Sequence, residues 1–303
     1  MTAPADHLRT RSDGGRAAEY PPAPEPLAVA VYDNHTHLEI ADGAMPLTPH
    51  EHLERAASVG VAGAVQVGTD VATSRWSAEM AAREPRLLAA VALHPNEAPE
   101  LDARGELDAA IDVIDELAAQ PRVRAVGETG LDFYRTGDDG RDAQFRSFEA
   151  HLDIAKRHGI ALQIHDRDAH DEVVATLRRA GAPDTTIFHC FSGDAELARL
   201  AADTGWYCSF AGNVTFKNAE NLREALRVLP RELLLVETDA PYLTPVPLRG
   251  RPNAPYLVPH TMRFLAETLD ADLDELCAQV AENTVRAYGS WDDGLAADAA
   301  GSA

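Results

Sequence analysis

The chain has 303 residues, 45% of them apolar, enough for one large barrel or two ordinary domains around a full hydrophobic core. Its 49 acidic against 27 basic residues leave a formal charge of −22. That charge opposes non-specific adhesion to nucleic acid or anionic membrane, but leaves room for a local basic patch or a bound cation. Three cysteines (Cys190, Cys208 and Cys277) with no CxxC pair exclude a disulfide framework and a cysteine-built zinc site.

Residues 1–26 read as a disordered N-terminal tail. The run Tyr20-Pro21-Pro22-Ala23-Pro24-Glu25-Pro26 cannot propagate a helix or enter a sheet interior, and no apolar core marks a secretory signal. Residues 27–290 are then predicted to form one catalytic domain. Apolar, β-branched-rich strands are expected at 27–37, 63–69, 87–94, 124–131, 161–166, 185–191, 206–212 and 233–239. Amphipathic helices are expected between or after them at 49–59, 106–119, 142–158, 171–180, 195–203, 219–228, 259–269 and 273–287. Thr48 followed by Pro49 reads as a helix N-cap, and Gly60, Gly159, Gly181 and Gly205 as helix ends. Strand–helix alternation implies parallel strands, and eight units predict an α/β fold of the (β/α)8 TIM-barrel type, with an open doubly wound sheet as the competing architecture. Residues 291–303, mostly Asp, Gly, Ala and Ser after Trp291, read as a disordered C-terminal tail. No apolar stretch has the length of a bilayer span, so a cytoplasmic protein is expected, with a monomer compatible with everything in the sequence.

The strands begin apolar and end polar. Their last residues include His35 and His37, His94, Glu128, His165, His189, Glu237 and Asp239. In a barrel all these ends share one rim, where an active site sits. His35 and His37 are two apart, so both imidazoles face the same way on a strand. An HxH pair alone is a weak signal. Four histidines and two carboxylates from separate strands suit zinc or another divalent ion, and exceed what one tetrahedral ion requires. They fit two ions sharing a bridging carboxylate, an arrangement that suits hydrolysis of phosphodiesters, amides or esters.

Six motifs in order are similar to those of the TatD family of metal-dependent deoxyribonucleases, within the amidohydrolase-like barrels. They are Asn34-His35-Thr36-His37-Leu38, the run Gly127-Glu128-Thr129-Gly130-Leu131-Asp132-Phe133-Tyr134, Ile164-His165-Asp166-Arg167-Asp168-Ala169, Phe188-His189-Cys190-Phe191-Ser192-Gly193, Glu237-Thr238-Asp239-Ala240-Pro241-Tyr242-Leu243, and the loop Arg249-Gly250-Arg251-Pro252-Asn253-Ala254-Pro255. The resemblance runs from about residue 31 to 289. It implies metal ligands at His35, His37, Glu128, His165, His189 and Asp239, with Glu128 bridging. His35, His37 and Asp239 would complete one ion, and His165 and His189 the other. Asp239, with Glu128, would be catalytic by orienting or deprotonating the attacking water. The cofactor implied is a pair of divalent ions among zinc, manganese and magnesium, and histidine-rich ligation favours the first two.

Each residue also has a plainer reading. Glu128 on an apolar strand could pair with Arg124 or Arg135. Glu237 fits better as a carboxylate holding a histidine than as a ligand. His94 is either a contact to metal-site groups or substrate phosphate, or a structural histidine. Arg135, Arg167, Arg249 and Arg251, with Asn253, are candidate substrate contacts, against ordinary solvated side chains. Cys190 is expected to face away from the site by strand alternation, and Cys208 and Cys277 to fill the core. Three functions compete: a 3′→5′ exonuclease on single-stranded DNA, an ester or amide hydrolase such as a D-aminoacyl-tRNA deacylase, and a metal-bound binding protein without turnover.

Overall fold

Side chains alternate along the central strands of the computed structural model, which describes residues 6–11 and 18–292. Val65 and Val67, Leu88 and Ala90, Ala125, Ala161, Ile187, Tyr207 and Leu235 pack into one apolar cluster. Their neighbours Ala64, Leu87, Ala89, Val126, Leu162, Phe188, Cys208 and Leu234 belong to a second, larger cluster. Two apolar faces per strand require cover on both sides: a closed barrel supplies one, and an outer layer of helices the other.

The strands are β1 (Val31–Thr36), β2 (Val61–Val67), β3 (Leu87–Val91), β4 (Val123–Asp132), β5 (Ala161–Arg167), β6 (Thr186–Phe188), β7 (Tyr207–Phe210) and β8 (Leu234–Val236). They pair in parallel in chain order. Past the end of β8, Asp239 N–H donates to the His35 carbonyl at 2.9 Å and His37 N–H to the Ala240 carbonyl at 2.8 Å. These bonds, with a parallel bridge between Thr36 and Ala240, bring the last strand round to the first and eliminate the open sheet.

The expected helices appear within a few residues of their predicted ends. Thr48 caps Pro49–Ser58 in a reciprocal capping box with Glu51. Two helices went unassigned in the sequence, Val71–Ala81 and Ala98–Ala103. The last helix, Leu273–Tyr288, brings Ala287 and Tyr288 into the interior cluster. Trp291 follows and stacks on Tyr32 at 4.2 Å, and its indole N–H donates to the Arg86 carbonyl at 3.0 Å. The end of the barrel opposite the polar rim is thereby plugged.

Both predicted tails are corrected where residues are described. Arg9–Thr10 forms a short parallel pairing with Ile40–Ala41, just beyond β1. The proline-rich stretch is bound through its carbonyls: Tyr256 Oη donates to Pro21, Arg251 Nε to Glu19 and Arg263 to Glu25. Prolines lack N–H donors, but an extended run of carbonyls can still be captured by side chains. At the other end Trp291 is buried; residues 1–5, 12–17 and 293–303 lie outside the described residues. No helix among the described residues is long and apolar enough to cross a membrane.

Candidate metal centre

The polar strand ends converge. His35 and His37 leave β1 with their Nε2 atoms 3.2 Å apart. Glu128, from β4, lies between two groups of imidazoles. Its Oε2 is 3.5 Å from His35 Nε2 and 3.7 Å from His37 Nε2. Its Oε1 is 2.7 Å from His165 Nδ1, 3.0 Å from His189 Nε2 and 3.3 Å from His94 Nε2. Asp239 Oδ1 completes the first group, 3.6 Å from His37 Nε2 and 3.9 Å from His35 Nε2.

Two glycines in β4 make this possible. The β4–β5 register shifts between Val126 and Thr129, around Glu128. A Cβ on Gly127 would lie 2.4 Å from Gln163 Cβ, and one on Gly130 2.1 Å from the His165 carbonyl oxygen. Gly130 also has φ +142°, a conformation that side chains rarely adopt. Only a chain without Cβ at both positions can bring the two strands this close and deliver Glu128 and His165 to the same point.

Three of the rings are oriented by an acceptor on their other nitrogen. His37 Nδ1 is 3.1 Å from the Val67 carbonyl, His189 Nδ1 3.2 Å from Glu237 Oε1, and His165 Nε2 3.3 Å from Asp132 Oδ2. A proton held on that side leaves the inward nitrogen with its lone pair, the form a metal ligand needs. The supports are themselves anchored. Glu237 Oε1 also accepts from Cys190 N–H at 2.8 Å, and Asp132 accepts from Arg135 N–H at 2.9 Å and Asn96 Nδ2 at 3.1 Å. Asp33, fully buried, ties β1 to β8 by accepting from His35 N–H and from both N–H and Oγ1 of Thr238. Leu93 N–H donates to His151 Nε2 at 3.0 Å, which fixes the backbone beside His94.

The charges are strongly coupled. Burial pushes Asp33 up to about 7. Burial would also raise Glu128, but His189, His94 and His165 hold it well below the usual carboxylate range. Burial would lower His189; Glu128 and Glu237 override it and raise it well above its ordinary value. His37 and His165 are raised against burial in the same way, by Asp239 and Glu39 for the first and by Asp132 and Glu128 for the second. His35 and His94 are lowered, mainly by burial.

This donor set fits divalent cations. Three groupings, His35–His37–Asp239, His35–Glu128–His189 and His94–Glu128–His165, each place one ligand atom per residue within 4.8 Å of the others. Imidazole and carboxylate donors together match zinc and manganese preferences.

The TatD related DNase family model matches residues 32–289. The chain belongs to the TatD family. The metal-dependent hydrolase TatD of Mycobacterium tuberculosis is 46% identical over 261 residues, 85% of this chain and 97% of the relative. The 3′-5′ ssDNA/RNA exonuclease TatD of Salmonella typhimurium is 34% identical over 235 residues, 76% of this chain and 88% of that protein. The crystal structure of YjjV, a TatD homologue from Escherichia coli, superposes with a TM-score of 0.75 at 27% identity, covering 86% of this chain and 98% of YjjV. This TatD-family protein is a metal-dependent hydrolase on a TIM barrel.

The remaining sequence candidates divide. His94 joins the ring cluster, 4.4 Å from the His165 ring, and Glu237 Oε1 lies 3.2 Å from His189 Nδ1. Arg167 stacks on Tyr134 at 3.9 Å, and Arg249 on Phe216 at 4.0 Å. Arg135 is exposed. Arg251 donates to Glu19 in the N-terminal segment, and the buried Asn253 holds the Thr238 and Tyr242 carbonyls, so both act on the loops around the rim. Cys190 departs from expectation. It lies past the end of β6 with φ 41°, so strand alternation does not govern it. Asn213 Nδ2 lies 3.7 Å from its Sγ, and burial together with Asp239, Glu237 and Glu128 pushes the thiol well up, keeping it neutral. The supporting roles of Asp132, Asp33 and His151 were missed. Asp132 stood in a quoted motif, but its partnership with His165 joins neighbouring strands and has no local signature.

Proposed function

We propose that this chain is a two-metal phosphodiesterase that removes nucleotides from the 3′ end of single-stranded DNA. The observation that carries the reading is the division of Glu128: one oxygen faces His35 and His37, the other faces His165, His189 and His94. A carboxylate so placed would serve two ions, one on each side. His35, His37 and Asp239 would hold one, and His165 and His189 the other, with zinc or manganese preferred. Divalent ions held there supply Lewis acidity, lowering the pKa of a water nucleophile and neutralising phosphoryl charge.

The side chains do the rest. Asp239 is the more open carboxylate of the pair, its side chain 15% exposed against 7% for Glu128. It reaches solvent while held beside His37, and so can take the proton of an attacking water. Glu237 and Asp132 hold the rings of His189 and His165 in the ligating orientation. Tyr134, 65% exposed beneath Arg167, offers a stacking face for a base and a guanidinium for a phosphate. The Salmonella relative's name, an ssDNA/RNA exonuclease, supports the same substrate class.

The test is release of nucleotides from end-labelled single-stranded DNA by protein stripped of metal and then reloaded, beside Glu128→Ala. Stepwise release from the 3′ end, dependent on metal and lost in the variant, is expected. Intact DNA with a metal-loaded protein would move the substrate to esters or amides.

A further inference from the structure

The first described residues lie outside the part of the chain shared with the family. The family model begins at residue 32, and the Mycobacterium relative aligns over 97% of its own length but only 85% of this chain. Yet residues 8–11 are docked on the catalytic rim. Leu8 N–H donates to the Glu39 carbonyl at 3.0 Å and Arg11 N–H to the Ala41 carbonyl at 3.2 Å, directly after the His35–His37 strand.

This pairing places Arg11 beside the loop that carries Asp239. Its Nη1 donates to the Pro241 carbonyl at 3.0 Å and lies 3.4 Å from Asp42 Oδ2, and its guanidinium lies over the Tyr242 ring at 4.8 Å. The Tyr242 ring is in turn 6.4 Å from the His37 ring. Arg11 and Tyr242 share a cavity of about 200 Å³ with Phe216, Thr244 and Arg249, where Arg249 lies over Phe216 at 4.0 Å. A protein of net charge −22 thus gathers two ring-stacked guanidiniums in one cavity, one aromatic ring away from its candidate ligands. Stacking fixes a guanidinium's plane and directs its edge donors, the arrangement that suits a phosphate. The volume is below the roughly 300–1,000 Å³ of drug-sized ligand sites, which limits the occupant to one phosphate and the unit attached to it.

We infer that the N-terminal segment builds a nucleotide subsite beside the metal centre, in which Arg11 and Arg249 bind the phosphate adjoining the scissile one. This rests on the nuclease reading above and adds a residue from outside the family core to it. Arg11 and Arg249 are substrate-binding residues away from the reacting atoms, and their effect falls on substrate affinity.

The experiment uses the metal-loaded full chain with Arg11→Ala, Arg11→Lys and Arg249→Ala. Arg249 is exposed, so its variant keeps the fold even if loss of the buried Arg11 perturbs it. On 3′-labelled single-stranded DNA, KM should rise about tenfold in each alanine variant with kcat within about twofold, and Arg11→Lys should fall between. Binding of a hydrolysis-resistant phosphorothioate oligothymidylate, followed by fluorescence anisotropy, should lose about one unit of salt slope for each guanidinium removed. If the wild type cleaves DNA and the variants keep KM and salt slope, or lose kcat at unchanged KM, the subsite is refuted and the nuclease stands. If the wild type neither binds nor cleaves the oligonucleotide, both fall together.

Discussion

Replacing Glu237 by Gln changes one charge and almost no volume, and it should lower both metal affinity and the stability of the metal-free protein near pH 7. Glu237 is fully buried; its Oε1 accepts from His189 Nδ1 and Cys190 N–H, while Oε2 is without a hydrogen-bond partner among the described residues. In the metal-free protein this carboxylate faces a His189 held well above its ordinary value, so an amide removes one partner of a buried pair and should lower stability near pH 7. The same negative charge raises the basicity of His189 as a ligand, and supporting partners of this kind are worth about 10–100-fold in metal affinity, or about 1.4–2.7 kcal/mol. Glu237→Gln should therefore weaken metal binding by that factor in competition with a chromogenic chelator. The melting temperature of the stripped protein near pH 7 should fall as well, and activity should return at excess metal. Unchanged metal affinity at unchanged stability would refute the argument and reduce Glu237 to a packing group.

Three further outcomes follow from other parts of the molecule. Burial holds His151 down to about 4, so between about pH 6.5 and 4 the unfolded chain binds a proton that the folded one does not, and stability is lost as pH falls through that window by about 3 kcal/mol. His151→Gln keeps an acceptor for Leu93 N–H and should flatten the change in urea midpoint between pH 7 and 4.5; an unaltered slope would contradict this. Gly130→Ala should cost about 2–6 kcal/mol, from overpacking against the His165 carbonyl plus a strained φ, read as a lower melting temperature with weakened metal binding. Because His189, His37 and His165 are raised above their ordinary values despite burial, metal uptake near pH 7 should displace at least one proton, and calorimetry in buffers of different ionisation heat should show it; a buffer-independent enthalpy would count against it.

What the sequence revealed and what it hid separate along physical lines. The barrel was legible because β-branched runs alternate with amphipathic helices, and its rim because His35, Glu128, His165, His189 and Asp239 each close an otherwise apolar strand. The helix Val71–Ala81 was not legible, because its buried face includes Thr73, Ser74 and Ser77 and so weakens the apolar period. Ser74 is buried because its hydroxyl both donates to the Ala92 carbonyl and accepts from its N–H. The N-terminal segment misled for a related reason. Proline marks a chain that makes no ladder of its own, but Tyr256, Arg251 and Arg263, more than 200 positions away, capture its carbonyls. Asp132 belonged to a quoted run, yet only the pairing of β4 with β5 shows that it orients His165. Cys190 was misjudged because alternation was extended two residues beyond the end of its strand.

The rim itself explains how so acidic a chain could act on a polyanion. Asp33, Glu39, Glu128, Asp132, Glu237 and Asp239 all crowd around the imidazoles, and the nearest arginines each have a carboxylate beside them, Arg9 with Glu39 at 2.8 Å and Arg11 with Asp42 at 3.4 Å, which offsets part of their charge. Without cations the mouth of the barrel is a negative well on a negative surface, and a phosphodiester is repelled from it. Two divalent ions would add four positive charges where these carboxylates converge, offsetting most of their charge and placing cations directly at the mouth. If the substrate is a phosphodiester, its affinity would then depend on metal occupancy, and by linkage the bound phosphodiester would tighten metal binding by the same factor. The low overall charge density of arginine and lysine thus does not argue against a nucleic-acid substrate. On the nuclease reading it would confine recognition to the metal-loaded state and to the few guanidiniums that the loops around the rim hold against aromatic rings.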